Sequence, residues 1–575
     1  MVVGKLKPAS SSVFTALGEQ LQAKPISTPK THPAPALLSK PKPGLIDAPV
    51  SKMSTPKPEA TQALKLPSPF KSFMTIDSYD VTIARPDGSS EVARVSALRG
   101  KGDNCTMVVP VILNEDGTPS LLTKDGNTRA AHELREPGSY VRMGMVGGRW
   151  DKEIGADPAG IAKKIGIAEL AEEIGARAVK GGAFVLGDTL MATMPGVSTE
   201  ADLPVGVVAA FVPGDKITGD MSGMEVVGLM KPTLLSVADA FDKARSGEIS
   251  EGPRFETYAR RCLDKFGFIP ELNAYVFDLP PALKNAFKAN GTLGIGAAVD
   301  PRKLVAAGEF ESAGEVAHAP GGDAFKAKPK VDPSAINGVE FVESKRVDVP
   351  GFGTMFDAKT DHLAKQGGKS TRAEMTHPNQ LLHLDFDLAK VAVYYEDPVQ
   401  GPMVRLSDVE RPIMAAKELA LADEIAYKKE HYALTRRDLP EVKVELPFDG
   451  ASSPAELMEK AGTFDAAKLA KTAVVDALKA GHVDAEVSAL GAAGFASPGG
   501  CDLQHHFFAA KLKSAPTSTE GFVRLSDAIR IMRQGEGDPA AEAGLLRLAS
   551  AVGWIPSLGM STQMAKLQLN KFADD

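Results

Sequence analysis

Three glutamates lie close together in the stretch IAELAEEIGA (167–176), at Glu169, Glu172 and Glu173. On an α-helix, with about 100° per residue, positions i, i+3 and i+4 share one stripe of the surface. Like charges placed so disfavour the helix by roughly 0.2–0.5 kcal/mol per close pair. A hard cation such as Mg²⁺ prefers carboxylate oxygens and would reverse this repulsion. The stripe is therefore either a solvated acidic face or half of a metal site.

The flanking sequence predicts the elements that position this helix. Asp157 is a favourable N-cap, Pro158 suits the first helical position, and Gly175 is a typical stop. Upstream, two pairs of strands are predicted, one around the turn 86–88 and one around the turn 116–117. Strand-rich sequence then gives way to helix.

The acidic stripe resembles the second half of the Nudix box, the Gly-x5-Glu-x7-Arg-Glu-U-x-Glu-Glu-x-Gly-U signature of Nudix hydrolases, where U is aliphatic. The matching residues are Glu169, Leu170, Glu172, Glu173 and Gly175. Upstream, VGGRWDKEIGADP is similar to the family's Gly-Gly-x-x-Asp entry, at Gly147, Gly148 and Asp151. Downstream, MPGVSTEADL is similar to a Ser-Pro-Gly-x-Ser-x-Glu segment of the ADP-ribose pyrophosphatase branch, with Glu200 at its glutamate.

This resemblance implies Mg²⁺- or Mn²⁺-dependent hydrolysis of nucleoside diphosphate-linked compounds such as ADP-ribose. The catalytic and metal-binding residues it implies are Glu169, Glu172, Glu173 and Gly148, and the substrate-binding residues are Arg149 and Glu200. The general base stays open between Glu169, Asp220 and Glu225.

The sequence also departs from the box. Ala168 stands where the box has arginine, and Gly166 lies inside the predicted helix. The spacing from Gly148 to Glu169 is longer than in the box, and Glu153 is the only counterpart we find for its first glutamate. These departures favour an alternative function, that of a non-catalytic Nudix-like structural or binding protein in a larger assembly such as a viral particle.

An internal repeat predicts the domain organisation. LSVADAFDKARSGEI from Leu235 and LSDAIRIMRQGEG from Leu525 each carry an Asp, an Arg and a Gly-Glu pair at the same spacing, and an Ile-Pro-x-Leu turn follows both. We therefore predict an α+β protein with two tandem Nudix-like α/β/α sandwich domains and mixed β-sheets. Domain 1 covers 72–285, a linker covers 286–338, and domain 2 covers 339–575.

The second copy is predicted to lack the metal site. Its helix KLAKTAVVDALKAGHVDA holds Asp476 and Asp484 but no paired glutamates. His505 and His506 lie beside Asp502, yet adjacent residues on a strand point to opposite faces. We therefore expect one buried histidine and one exposed histidine instead of a ligand cluster.

Composition limits the partners and the location. Residues 1–71 are dense in Pro, Lys and Ser, which predicts a disordered tail that serves as a tether or binds a protein partner. The net charge of -7 gives no nucleic-acid signature, and no apolar run approaches the ~20 residues that span a membrane. Cys105, Cys262 and Cys501 form no CxxC pair. We expect a cytoplasmic protein or a component of a viral particle, and leave a homo-oligomer open.

Overall fold

The computed structural model describes residues 57–66, 74–100, 104–150, 157–187, 190–198, 200–213, 215, 229–311, 331–349, 352–420, 434–448 and 450–573. These residues form a mixed α+β protein. Its α-helices are α1 (Ala130–Arg135), α2 (Pro158–Glu169), α3 (Val237–Ser246), α4 (Gly252–Lys265), α5 (Pro281–Asn290), α6 (Pro301–Val305), α7 (Pro412–Ala420), α8 (Pro454–Ala461), α9 (Ala466–Ala480), α10 (Leu525–Ile531), α11 (Pro539–Ala551) and α12 (Thr562–Ala573). None of these helices is both long and apolar enough to cross a bilayer.

A nine-stranded mixed sheet organises the first half of the chain. Its central strands, in spatial order, are β8 (Ala176–Val185), β11 (Val205–Phe211), β4 (Asn104–Leu113), β5 (Pro119–Thr128) and β12 (Lys231–Ser236). β11 and β4 are parallel, and the other neighbours in this order are antiparallel. The shorter strands are β6 (Val141–Gly144), β7 (Val146–Arg149), β9 (Met191–Ala192) and β10 (Ala201–Asp202).

The second half repeats this order in a seven-stranded sheet. Its central strands are β24 (Ala485–Ala489), β26 (Gln504–Leu512), β19 (Phe386–Asp397), β20 (Gly401–Arg405) and β27 (Phe522–Arg524). β26 and β19 are parallel and the other neighbours are antiparallel, as in the first sheet. β23 (Glu441–Glu445) pairs with β19 as β7 pairs with β4, and β25 (Gly494–Phe495) pairs with β26.

Helices cover both faces of each central sheet. In the first half α2 packs on one face, called here the α2 face, while α3 and α4 pack on the other, the α4 face. Val108 faces α2 and its neighbour Val109 faces α4, as strand alternation requires. In the second half α9 lies on one face and α10 with α11 on the other. Each half therefore has three layers.

Smaller sheets flank the two central ones. β1 (Glu59–Leu66), β2 (Met74–Ala84) and β3 (Ser90–Gly100) form one sheet, and β15 (Ile336–Val349), β16 (Gly353–Gln366), β17 (Lys369–Arg372) and β18 (His377–His383) form another. The two-stranded sheets are β13 (Phe268–Ile269) with β14 (Ala274–Tyr275), β21 (Ser407–Glu410) with β22 (Thr435–Asp438), and β28 (Trp554–Ile555) with β29 (Met560–Ser561). The predicted hairpins around 86–88 and 116–117 are present as β2–β3 and β4–β5.

Two expectations about irregular segments need correction. The predicted tail 1–71 contains a strand, β1, because residues 59–66 pair with β2 and so satisfy their backbone groups. The rest of that tail lies outside the described residues, except residues 57–58. The predicted linker 286–338 is also more structured than expected, since its described part holds the end of α5, all of α6 and two 3₁₀-helices, Gly291–Gly294 and Pro333–Ala335.

The acidic helix begins and ends where the sequence predicts. Asp157 Oδ1 accepts a hydrogen bond from Gly160 N at 2.9 Å, which caps α2. Gly166 does not interrupt the helix, and a Cβ there would lie 3.3 Å from Val108. After α2 the chain continues as a π-helix, Leu170–Ile174, and ends at Gly175 with φ of 71°. The π-helix differs from the α-helical stripe expected for the three glutamates.

Helices α4 and α11 join the two halves through reciprocal buried ion pairs. Arg261 of α4 donates to Glu542 of α11 at 2.6 Å, and Arg547 of α11 donates to Glu256 of α4 at 2.8 Å. These side chains are at most 1% exposed. Because Glu256 and Arg261 have the same spacing as Glu542 and Arg547, the contacts are related by an internal two-fold, as in a symmetric dimer.

The arginines of the sequence repeat reinforce this interface. Arg245 donates to Glu256 at 2.7 Å, and its repeat counterpart Arg533 donates to Glu542 at 2.7 Å. Arg533 also donates to Asp264 at 2.9 Å. The arginine of the repeated Asp-Arg-Gly-Glu pattern therefore orients, in each half, a glutamate that lies at the interface between the halves.

Candidate functional site

The end of α2 and the following π-helix bring two glutamates against the paired glycines of β7. Glu173 Oε2 accepts a hydrogen bond from Gly147 N at 3.1 Å. A Cβ built at Gly148 would lie 2.1 Å from Glu169 Oε1 and 2.6 Å from its Cδ. Real Cβ atoms do not approach other atoms so closely, so glycine is needed for Glu169 to hold this position. Gly148 therefore leaves room for one carboxylate beside the sheet, and the backbone amide of Gly147 holds the other.

Lys124 is a member of this site that the sequence reasoning missed. Its ammonium group, on β5, forms an ion pair with Glu173 Oε1. The two side chains are 2% and 0% exposed. Lys124 therefore supplies, from another element, a cation that orients Glu173. The sequence did offer a signal for Lys124, because it follows directly on a predicted strand with apolar residues. A buried lysine needs a negatively charged partner, and this requirement could have pointed to a nearby glutamate.

Glu169 and Glu172 remain half-buried at the end of the helix. Among the described residues, the groups of three metal-binding side chains with ligand atoms within 4.8 Å of one another do not include Glu169, Glu172 or Glu173. The structure therefore brings Glu169 and Glu173 to the glycine pair without gathering all three glutamates at one point.

The predicted substrate residues lie on the other face of the same sheet. Arg149 pairs in register with Cys105, and Cys105 pairs with Asp202 on β10. Because Gly148 and Arg149 are adjacent on β7, they face opposite sides, Gly148 towards α2 and Arg149 towards α4. Burial raises the pKa of the Cys105 thiol, and the nearby Glu200 raises it further.

Glu200 and Asp202 are held by residues of α4. Arg254 donates to Glu200 Oε1 at 3.0 Å and to both oxygens of Asp202. Tyr258 donates to Asp202 at 2.7 Å. Burial raises the pKa of Asp202, and the Arg254 charge opposes that rise. Cys105, Glu200 and Asp202 are close enough to hold a metal ion, but Arg254 already supplies a positive charge there.

Four residues considered from the sequence lie outside the described residues. They are Asp151, Glu153, Asp220 and Glu225. The candidate general base in the loop after β11 therefore stays a prediction, as does the counterpart of the first glutamate of the box.

The second copy has a different surface at the equivalent place. On α9, Asp476 is exposed and lies 3.7 Å from Lys479, and beyond the helix Asp484 lies 2.7 Å from Lys513. On β23, the counterpart of β7, Val444 packs in one apolar cluster with residues of α9. An apolar contact thus stands where the first copy has glycines and carboxylates.

The expectation for the adjacent histidines was wrong. His505 and His506 are both buried, with 2% and 4% of their surfaces exposed. They do face opposite sides of β26, but helices cover both sides of that strand. His506 Nε2 lies 3.0 Å from Asp387, and burial lowers the pKa of His505 to about 4.

The other group of three metal-binding side chains among the described residues consists of carboxylates only, and it too is occupied by a cation of the chain. Asp438, Glu441 and Asp538 surround the buried ammonium of Lys390 at 2.8–2.9 Å. Burial lowers the pKa of Lys390, and the three carboxylates more than offset this effect, so that its pKa is raised overall. Arg411 also donates to Asp438 and to Glu441, so this group is part of a buried network of ion pairs in the core of the second half.

His383 makes the stability of the second half depend on pH. Burial lowers its pKa, but Asp502 at 2.6 Å and Asp385 at 3.1 Å raise it to about 9. A raised folded-state pKa stabilises the fold below the unfolded pKa of about 6.5, and this contribution is lost as the pH rises through 9.

We therefore expect the free energy of unfolding to fall by up to about 3 kcal/mol between pH 6 and pH 10 because of this group. Urea denaturation at both pH values measures the change. In His383→Gln the decrease should be smaller by that amount. An equal decrease in wild type and variant would show that His383 does not carry the effect.

Comparisons with known proteins leave the family unassigned. No protein-family model matches the sequence, and no curated protein matches it. A crystal structure of an ADP compounds hydrolase aligns with 16% identity and a TM-score of 0.21, over 32% of this chain and 82% of that chain. This similarity is too low to indicate the function of the chain.

Proposed function

We propose that the first half of the chain is a divalent-cation-dependent hydrolase of nucleoside diphosphate-linked compounds, with ADP-ribose-like pyrophosphates as the substrate class. The observation that supports this most is the approach of Glu169 and Glu173 to the glycine pair of β7. Together with the order of the box-like residues, it favours a Nudix-type arrangement. We further propose two tandem Nudix-like domains, at 72–285 and 339–575, with the second not catalytic.

The residues present fit a hard divalent cation. A Cβ at Gly148 would fill the space that Glu169 occupies, so the glycine keeps an oxygen ligand at the sheet. Carboxylate oxygens suit Mg²⁺ and Mn²⁺. We assign Glu169, Glu172 and the backbone of Gly148 to the cation, with Glu173 alongside. When bound, the cation would supply charge neutralisation at the pyrophosphate and activation of water.

The chain's own residues would prepare this reaction. Lys124 and the Gly147 amide fix the two oxygens of Glu173, which holds this carboxylate in one orientation. The proton of the attacking water would pass to a carboxylate, either Glu169 or an acid in the loop after β11 such as Asp220 or Glu225. We keep Arg149 and Glu200, on the α4 face, as the substrate-binding residues that the resemblance implies.

The test is phosphate release from a panel of nucleoside diphosphate compounds that includes ADP-ribose, with Mg²⁺ or Mn²⁺ and a coupled phosphatase. We expect metal-dependent turnover in wild type and none in Glu172→Gln plus Glu173→Gln. The matched control is Asp476→Asn plus Asp484→Asn in the second copy, which should keep full turnover. Absence of turnover by folded wild-type protein on every compound would reject the hydrolase.

The buried Lys124–Glu173 ion pair also favours a second function. An ammonium on Glu173 can replace a metal ion instead of orienting a metal ligand, as Lys390 does among its three carboxylates. In that case the protein is a non-catalytic component of an assembly, cytoplasmic or within a viral particle, and residues 1–56 bind a protein partner. Metal binding that is lost when Glu173 is replaced would exclude this second function. Metal binding that does not involve Glu173 would not exclude it.

A further inference from the structure

An apolar groove of about 590 Å³ lies beside α5, away from the glutamates. Three segments of the chain form its wall: the 3₁₀-helix Val276–Asp278, helix α5, and the loop that follows the 3₁₀-helix Gly291–Gly294. The described residues that line it belong to none of α2, β5 and β7, which carry the candidate metal site. The volume is within the range of about 300–1,000 Å³ that is usual for small-molecule sites.

Most of the wall of this groove is apolar and can be reached from solvent. Val276 and Phe287 are its most deeply buried members, with 6% and 5% of their surfaces exposed. Phe277 and Ala298 are half-buried, and Ala297 is exposed. Covering this surface with an apolar group is favourable, because it removes the surface from water.

The chain holds the groove in shape from behind. Lys265, the last residue of α4, donates to the carbonyl oxygen of Ala297 at 2.9 Å, and its own carbonyl oxygen accepts from Val299 N at 2.8 Å. A Cβ built at Gly267 would lie 2.8 Å from Val276 Cγ1, so the backbone of the chain supports that side chain directly. The loop and the apolar wall are therefore fixed in the absence of a ligand.

The charges along this groove are all positive. Lys284 and Lys288 line it, and the described lining residues include no carboxylate. Both lysines are exposed, lie one turn apart on α5, and have no ion-pair partner among the described residues. Like charges at this spacing disfavour a helix. Close by, burial lowers the pKa of Lys265, and the Lys163 charge lowers it further. An anionic group between Lys284 and Lys288 would reduce the repulsion.

We propose that this groove binds an alkyl carboxylate, that is, a carboxylate on an unbranched apolar chain. The apolar chain covers Phe277, Phe287 and Ala298, and the carboxylate lies between Lys284 and Lys288. A compact anion such as phosphate would leave the apolar wall in water, and a neutral chain would leave both lysines unpaired. The site does not depend on the hydrolase activity of the first half.

Titration calorimetry of the full chain with octanoate tests the proposal. Octanoate should bind saturably. Butanoate has the same charge on a shorter chain, and octylamine has the same chain with the opposite charge, so each should bind roughly tenfold more weakly or worse. Failure of octanoate to bind wild type would overturn the proposal. Binding of octylamine as tight as that of octanoate would overturn it as well.

Removal of the two lysines tests the charged part of the groove. Lys284→Gln plus Lys288→Gln should weaken octanoate binding about tenfold, as expected for the loss of two exposed ion pairs. The matched control is Lys468→Gln plus Lys471→Gln, which removes two exposed lysines from α9 and should bind as wild type does. Equal affinity of wild type and the Lys284 and Lys288 double variant would contradict the proposal.

A further variant tests the apolar wall and the alternative that a second copy of the chain covers it. Ala297→Trp places a large ring at an exposed position of the wall and should weaken octanoate binding roughly tenfold or more. Ala282→Trp, at an exposed position early in α5 outside the groove, is its control and should bind as wild type does. Sedimentation that shows a dimer in wild type and a monomer in Ala297→Trp would identify a second copy as the occupant and overturn the proposal.

Discussion

Replacing Glu542 by Gln is expected to lower the free energy of unfolding by about 3–5 kcal/mol. Glu542 has a fully buried side chain and accepts from Arg261 at 2.6 Å and from Arg533 at 2.7 Å. Glutamine preserves the volume but removes the negative charge, which leaves two buried guanidinium groups with less compensation. Because these contacts join α4 to α11, the loss weakens the packing of one half on the other. Urea denaturation of the full chain measures it.

The control for this substitution is Glu536→Gln. Glu536 is 47% exposed, and its carboxylate lies 3.8 Å from Arg437. Solvent screens such a pair, so the free energy of unfolding of Glu536→Gln should differ from that of wild type by no more than about 0.5 kcal/mol. If Glu542→Gln and Glu536→Gln unfold at the same urea concentration, the buried ion pairs do not hold the two halves together.

Gly148→Ala is expected to reduce phosphate release by roughly 100-fold or more while leaving the protein folded. The new Cβ would lie 2.1 Å from Glu169 Oε1, so the carboxylate has to turn away from the sheet. Moving the half-buried end of this side chain should change the free energy of unfolding little. Displacing a catalytic group by about 1 Å, in contrast, lowers the turnover rate strongly. Steady-state turnover and urea denaturation of the same preparation separate the two effects.

Gly462→Ala provides the matched control. Gly462 follows α8 with φ of -71°, and a Cβ there would have its nearest neighbour at 3.6 Å. This alanine should change neither turnover nor stability appreciably. Retention of full turnover by Gly148→Ala would mean that the position of Glu169 beside β7 is irrelevant to the reaction.

Local signals in the sequence predicted the local structure. Asp157, Pro158 and Gly175 mark the ends of the acidic helix because capping and left-handed backbone depend on those residues alone. The hairpin turns at 86–88 and 116–117 were also predicted from local residues, because a tight turn depends on the few residues that form it. The repeat from Leu235 and Leu525 indicated equivalent helices, and the two central sheets have the same strand order.

Contacts between distant segments were not predictable in this way. Lys124 and Glu173 are far apart in the sequence, and no periodic pattern links them. His505 and His506 alternate as a strand requires, but their burial depends on helices that arrive from elsewhere in the chain. The strand at 59–66 was hidden by its Pro- and Lys-rich surroundings, because pairing with β2 overrides composition.

The most direct test of the proposed function is Mn²⁺ binding to the full chain, measured by electron paramagnetic resonance in wild type, Glu169→Gln and the second-copy control Asp476→Asn. The proposed function predicts saturable binding that is lost in Glu169→Gln and unchanged in Asp476→Asn. Equal Mn²⁺ binding by wild type and Glu169→Gln, or no binding by wild type, would contradict a metal site at the glycine pair.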